Sequence, residues 1–225
     1  GEVLTNAPVD EVIIKKGRAV GVRLEDGKEL FAPVIISNAG VINTINRLLP
    51  ADVAKQYGFK QQVKGVEPSV AHMSLYIGCN ETADELGLEK TNLWVYPGED
   101  HNASIENFLE DPDNNPLPVA YLSFPSAKDP TFESRFPGKA TLEVVALAPY
   151  DWFKKWENTR WKKRGEDYDA MKEKYTERLL EALYKQCPQL KGKIAFTELS
   201  TPLSTKTICS HSRFHQNRWC LFHHL

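Results

Sequence analysis

The chain has 225 residues, 41% of them apolar and 26% charged, with 28 basic against 30 acidic side chains and a net charge of −2. That length holds one large domain or two small ones with a sizeable core, and excludes a short peptide or a disulfide scaffold. The near-zero charge gives no steering towards nucleic acid, the cysteines (Cys79, Cys187, Cys209 and Cys220) form no Cys-x-x-Cys pair, and no run approaches the roughly 18 apolar residues that cross a bilayer.

Residues 9–36 alternate with period two and are broken at Lys16-Gly17 and Asp26-Gly27, which predicts two antiparallel hairpins. Val12 and Ile14 share a face, then Val20, Val22 and Leu24 alternate with Gly21 and Arg23, and Asp26-Gly27 supplies the positive φ of a tight turn. Leu30, Ala32, Val34 and Ile36 extend the pattern into a third strand, whose Ile35-Ile36 end reads as buried on both faces. Ser37-Asn38-Ala39-Gly40 then leads into a helix-like stretch over residues 41–49. Gly40 permits close approach of a ligand to the backbone, and Ser37 or Asn38 could cap the helix, whose first amides would favour an anion. On residue types alone, a plain strand-to-helix turn is the simpler reading.

After a polar connection over residues 61–68, residues 69–78 read as a strand, with Val70, His72, Ser74 and Tyr76 facing away from Ala71, Met73, Leu75 and Ile77. His72 reads there as a packed strand residue rather than a catalyst. Strands over residues 92–96, 119–124 and 141–147 complete a second sheet, with a polar stretch at 98–115. Pro149-Tyr150-Asp151 opens an aromatic helix bearing Trp152, Phe153, Trp156 and Trp161, in which Trp152 and Trp156 share a face at a spacing of four. Such rings suit a greasy channel or a membrane interface, although core packing explains them more simply. Tyr168, Met171, Tyr175, Leu179, Leu183 and Cys187 recur three and four apart, which predicts one amphipathic helix of about 33 Å stopped by Pro188. Residues 194–199 return to a strand.

No G-x-G-x-x-G fingerprint, P-loop, His-Glu-x-x-His helix or G-x-S-x-G elbow occurs, so no catalytic side chain is singled out. Cys209, His211, His215, Cys220, His223 and His224 crowd the end of the chain, at spacings that fit none of the usual zinc arrangements.

Several segments together carry a resemblance. Val9-x-x-Val12-Ile13, Ala19-x-Gly21-Val22, Asp26-Gly27 and Ala32-x-Val34-Ile35-Ile36-Ser37-Asn38-Ala39-Gly40 resemble the phytoene-desaturase-like flavoprotein amine-oxidase superfamily. Asn43-Thr44 with Leu48-Leu49-Pro50, the run from Phe124-Pro125-Ser126-Ala127 to Arg135-Phe136-Pro137-Gly138, and Trp152-Phe153-x-x-Trp156 with Lys163-Arg164-Gly165 narrow it to the retinol saturase family, over about residues 1–204. The resemblance implies an α+β fold, part of a two-domain flavoprotein: a β-meander of a partial FAD-binding domain (1–60), a substrate domain of mixed sheet and helices (61–204), and a divergent, disordered tail (205–225). The chain is then expected to be an interior piece, because the family's Gly-rich strand–helix turn and closing segment are not in it. The implied reaction is FAD-dependent saturation of the C13=C14 bond of all-trans-retinol, with NAD or NADP as electron source and the second sheet and aromatic helix forming the retinoid slot. Carry-over assigns Val9 to the adenine and Asn38, Ala39 and Gly40 to the turn beside the dinucleotide. The implied partner is a small hydrophobic retinoid, with no nucleic acid, and the implied location is peripheral on the endoplasmic reticulum membrane. A carotenoid desaturase or isomerase of the same superfamily, and an inactive retinoid-binding or interaction module, are the alternative readings.

Overall fold

The structure is a computed structural model that describes residues 1–66 and 70–209. These fall into two units, one ending at residue 66 and one beginning at Val70.

In the first unit, β1 (Val9–Lys15), β2 (Arg18–Leu24) and β3 (Glu29–Phe31) form an antiparallel meander, as the alternation predicts. Lys16 and Gly17 turn the first hairpin with φ of 51° and 74°, and Gly27 turns the second with φ of 86° while Asp26 Oδ1 accepts from Lys28 N at 2.9 Å. Gly21 faces Phe31 across the pair, and a Cβ there would stand 2.4 Å from the Leu30 carbonyl oxygen, so only glycine lets β2 and β3 close. The third strand is shorter than the sequence suggests. Its last bond to β2 is from Ala32 N to the Val20 carbonyl at 3.0 Å; Pro33 has no N–H to donate, and among the described residues no strand pairs with residues 33–36. Val34 and Ile36 are accordingly 69% and 89% exposed rather than buried on both faces. Helix 41–49 appears as a short α-turn, Val41–Asn43, continued by a π-turn, Thr44–Leu48, whose Ile45 and Leu48 are buried, as are Val12, Ile13 and Leu24 of the meander.

The second unit is built on β4 (His72–Cys79), β5 (Leu93–Val95), β6 (Ala120–Ser123), β7 (Ala140–Leu147) and β8 (Ile194–Ser200), in the order β5-β6-β7-β4-β8. Every neighbouring pair is antiparallel, which corrects the expected mixed sheet. Its core face carries Met73, Leu75, Ile77, Leu122, Leu142, Val144, Ala146 and Leu199, all buried. The long helix Glu166–Gln186 lies on that face through Tyr175, Leu179 and Leu183, ends before Pro188 as predicted, and starts with Glu166, Asp167 and Asp169 where the helix dipole favours acid. The polar stretch conceals a helix, His101–Glu110, capped by Asp100, which accepts from Ala103 N at 2.9 Å, and anchored by buried Phe108.

The aromatic segment Tyr150–Trp156 is a 3-10 helix, not an α-helix. Three residues per turn put Tyr150, Phe153 and Trp156 on one buried line, while Trp152 stacks on Tyr175 of the long helix at 6.2 Å. Buried Arg164 ties the following loop down, donating to the carbonyls of Trp156 (3.1 Å) and Thr159 (3.2 Å) and to the Thr207 hydroxyl (3.2 Å). Thr207 belongs to helix Pro202–Cys209, so residues 205–209 are helical rather than part of a disordered tail, and Lys206 pairs with Glu157. His211, His215, Cys220, His223 and His224 lie outside the described residues.

Gly21→Ala is expected to disrupt the β2–β3 pairing alone: amide exchange in residues 20–31 should speed up at least tenfold, with β4 and β7 unchanged. Equal protection in both proteins would show that the Leu30 carbonyl yields to the added methyl.

A candidate binding face on the five-stranded sheet

Side chains alternate across a strand, so a helix layer on one face of an antiparallel sheet leaves the other face free. Register aligns that free face into rows. Trp94, Tyr121, Val145, Ser74 and Ser200 stand side by side across all five strands; Ser123, Glu143, Tyr76 and Glu198 form the next row, and Thr141, Gly78 and Phe196 the one after. His72 lies beyond the first row, opposite Leu147. Trp94 on one edge strand is 63% exposed, Phe196 on the other edge strand 60%, and Tyr76 on interior β4 48%. Trp94 and Tyr121 touch, with ring centres 4.7 Å apart. Gly78 has no side chain beside Phe196, so the floor is flat there. Several large exposed rings on one sheet face, two of them in contact, make it a candidate ligand or interaction face.

Polar groups are interspersed among the rings: Ser74, Ser123, Thr141, Ser200 and two carboxylates, Glu143 and Glu198. Glu198 is paired with Lys172 at 2.6 Å, and Lys128 Nζ donates to Ser123 Oγ at 3.0 Å. Half-buried Glu143 makes no hydrogen bond or ion pair among the described residues, and its charge acts on His72 and Tyr76. Burial lowers the His72 pKa from its ordinary value, with Glu143 partly opposing. Burial raises the Tyr76 pKa, Glu143 adds to it, and hydrogen bonding with Ser74 opposes it. Both side chains are therefore held neutral near pH 7. The face thus carries exposed rings with small hydroxyl side chains between them, and Glu143, on its central strand, has no partner among the described residues.

The aromatic 3-10 helix does not share this face. Its Trp152 stacks on the long helix, so it sits in the layer on the opposite side of the sheet, where Trp152, Met171, Tyr175, Lys155 and Lys174 line a separate open hollow of about 290 Å³. The expected slot of sheet plus aromatic helix therefore reduces to the sheet.

The residues carried over for the dinucleotide all lie in the first unit. Val9 opens β1 opposite Leu24 and lines a polar hollow of about 260 Å³ with Asp10, Glu25, Asn46 and Arg47, a lining that includes none of Asn38, Ala39 or Gly40. Those three form an exposed turn. Asn43 Nδ2 donates to the Ala39 carbonyl at 3.0 Å, and the hydroxyls of Ser37 and Thr44 are 2.7 Å apart. Neither Ser37 nor Asn38 caps the helix; Gly40 stands at the cap, with φ of 83°. Among the described residues, its chain neighbours aside, a side chain at Gly40 would meet only Asn43 Nδ2, at 3.9 Å, so the backbone of this turn leaves room for close approach of a ligand such as the nucleotide that the resemblance implies. Among the described residues, no group of three metal-ligating side chains occurs and no helix is long and apolar enough to cross a membrane.

Sequence reasoning put His72 and Tyr76 on one face but did not single out Tyr76, Trp94, Glu143 or Phe196. Glu143 had a signal: it is the one charge in the strand Ala140–Leu147.

No family model matches the chain. Among curated proteins it is 36% identical over 213 residues to the all-trans-retinol 13,14-reductase of Macaca fascicularis, covering 92% of this chain and 35% of that protein. Over 92% of its length the chain is a relative of these reductases. It is also 35% identical to the inactive all-trans-retinol 13,14-reductase of Danio rerio (91% of this chain, 35% of that protein), and 30% identical to the chloroplastic prolycopene isomerase of Arabidopsis thaliana (89% and 30%). The chain thus spans about a third of the length of the curated relatives it matches. A solved oxidoreductase from Methanosarcina mazei aligns over 87% of this chain and 37% of its own, at 17% identity and a TM-score of 0.45.

Because His72 binds its proton less readily folded than unfolded, the unfolded chain gains protons first as pH falls, and stability declines from about pH 6.5 down to the folded pKa. Urea midpoints should therefore drop more between pH 7.5 and 5.5 for the native chain than for His72→Asn, and identical drops would place the imidazole in an unperturbed environment.

Proposed function

We propose that this chain is the substrate-facing and part of the cofactor-facing portion of a flavin-dependent reductase that saturates one double bond of a retinoid polyene. The observation that carries this reading is the identity of 34–36% with all-trans-retinol 13,14-reductases from four species over 92% of the chain. The open sheet face supports it independently: an isoprenoid alkene has few polar atoms to grasp, so recognition requires a long apolar surface that fixes its orientation.

In this reading Val9 and the backbone of Asn38, Ala39 and Gly40 hold the flavin nucleotide. When bound, that group supplies a hydride to one carbon of the alkene and is oxidised in doing so; a proton completes the other carbon, and NAD or NADP is the proposed source of fresh electrons. The chain's own side chains act on the substrate. Trp94, Tyr121 and Phe196 present rings on which a flat polyene lies, and Gly78 leaves the floor low. His72 and Tyr76, both neutral at physiological pH, keep the bed weakly polar. The same resemblance assigns the whole protein to the endoplasmic reticulum membrane as a peripheral protein, where its apolar substrate is dissolved.

Two relatives define the rival readings. The prolycopene isomerase suggests a carotenoid as substrate. The inactive Danio rerio relative, at 35% identity, suggests a retinoid-binding segment without turnover, since that degree of likeness accompanies both names. A chimera in which residues 1–204 replace the matching segment of the Macaca fascicularis relative separates the three. Supplied with dithionite-reduced flavin, it should convert all-trans-retinol to a 13,14-dihydro product detected by chromatography. Turnover of prolycopene or phytoene in place of retinol would give the function to the first rival, and a chimera that retains flavin but converts neither would give it to the second.

A further inference from the structure

Glu143 is the anomaly of the open face. A half-buried carboxylate is an acceptor with two oxygens, and leaving it without a donor is costly unless something else completes it. Two lysines from neighbouring helices reach this face and are committed elsewhere: Lys172 of the long helix to Glu198 on β8, and Lys128, which follows β6, to Ser123 and Asn92. From β4, the groups facing Glu143 are Tyr76, directly opposite in register, and His72, and from β6 the Ser123 hydroxyl; His72 and Tyr76 feel its charge, and no described residue donates a hydrogen bond to it. Around this carboxylate lie Tyr121 and Trp94 towards one edge and Phe196 towards the other. A face of exposed rings around one acceptor without a donor selects a ligand that is apolar and carries one donor.

We propose that Glu143 is a specificity-determining residue that accepts a hydrogen bond from the hydroxyl of a polyene alcohol lying on this face, and that it discriminates against the aldehyde and the carboxylic acid of the same polyene. This deepens the reading given above and rests on it for the class of ligand. The discrimination follows from donor and acceptor chemistry. An alcohol donates O–H to the carboxylate; an aldehyde presents only an acceptor oxygen, and an ionised acid adds like charge in a partly desolvated place. Sites that demand a donor reject analogues lacking one far more strongly than apolar pockets reject a change in size.

Two measurements test it. In the first, the intact chain is titrated with retinol, retinal and retinoic acid, with quenching of tryptophan emission as the readout, since Trp94 lies on the face. In the second, the chimera described above is assayed with the same three compounds. Glu143→Gln keeps the shape of the side chain, removes its charge and adds a donor. It should weaken retinol binding about fivefold and strengthen retinoic acid binding about tenfold, with the same shift in kcat/KM in the chimera; Glu143→Asp should retain the preference for the alcohol. If the native chimera reduces retinol while Glu143→Gln leaves the order of the three compounds unchanged, the role of Glu143 is overturned and the reductase reading stands. If the chimera is inert but the chain binds retinol with a preference that Glu143→Gln reverses, the role stands and the reductase reading falls. Absence of both binding and turnover in the native proteins overturns both.

Discussion

The second unit depends on one constraint: in a fully antiparallel sheet the side chains of every strand divide between two faces, and the long helix of this unit lies on one of them. Leu179 and Leu183 of the long helix meet Met73, Leu75, Val144 and their neighbours, and the buried side is closed. The burial of each Leu or Val side chain contributes about 1.5–3 kcal/mol, enough for one well-packed face to fix register across the sheet. Once register is fixed, the identity of the opposite face has no freedom left. Tyr121 and Tyr76 are displayed because their neighbours in sequence, Ala120, Leu122, Leu75 and Ile77, are buried, and register sets Trp94 and Phe196 on the same face.

Electrostatics on that face is arranged by burial more than by pairing. Glu198 and the Ser123 hydroxyl each have a lysine, and those contacts are solvent-facing and contribute little to stability. Glu143 has none, and its influence reaches His72 and Tyr76 through a partly desolvated layer. A neutral imidazole, a neutral phenol and an uncompensated carboxylate thus stand together on this face, and of the three the carboxylate alone can only accept a hydrogen bond.

The first unit follows a different rule. Its meander is held by two tight turns and by the absence of a side chain at Gly21, and its carried-over residues offer backbone rather than side chains. A turn such as Asn38-Ala39-Gly40 holds its shape through the Asn43 amide and the Ser37–Thr44 hydroxyl pair, which leaves the turn's own backbone open.

Much of the architecture was legible from residue order. Period-two alternation and the Lys16-Gly17 and Asp26-Gly27 turns specified the meander, the spacing from Tyr168 to Leu183 specified the long helix, and Pro188 ended it, because these signals are local and each residue carries its own preference. Alternation in residues 72–77 also showed that His72 and Tyr76 share a side. Residues 33–36 failed the same test: an apolar run becomes a strand only where a neighbour takes up its backbone bonds, and no local pattern reports a neighbour. Likewise, Trp152 and Trp156 read as one α-helical face until packing of Tyr150, Phe153 and Trp156 selected a three-residue turn. The sequence by itself determined the strands, the long helix and the kinship with retinoid reductases. Only the tertiary structure decided which face of the sheet is bare and that Glu143, Tyr76, Trp94 and Phe196 meet on it, because strand order and register join residues that lie far apart along the chain.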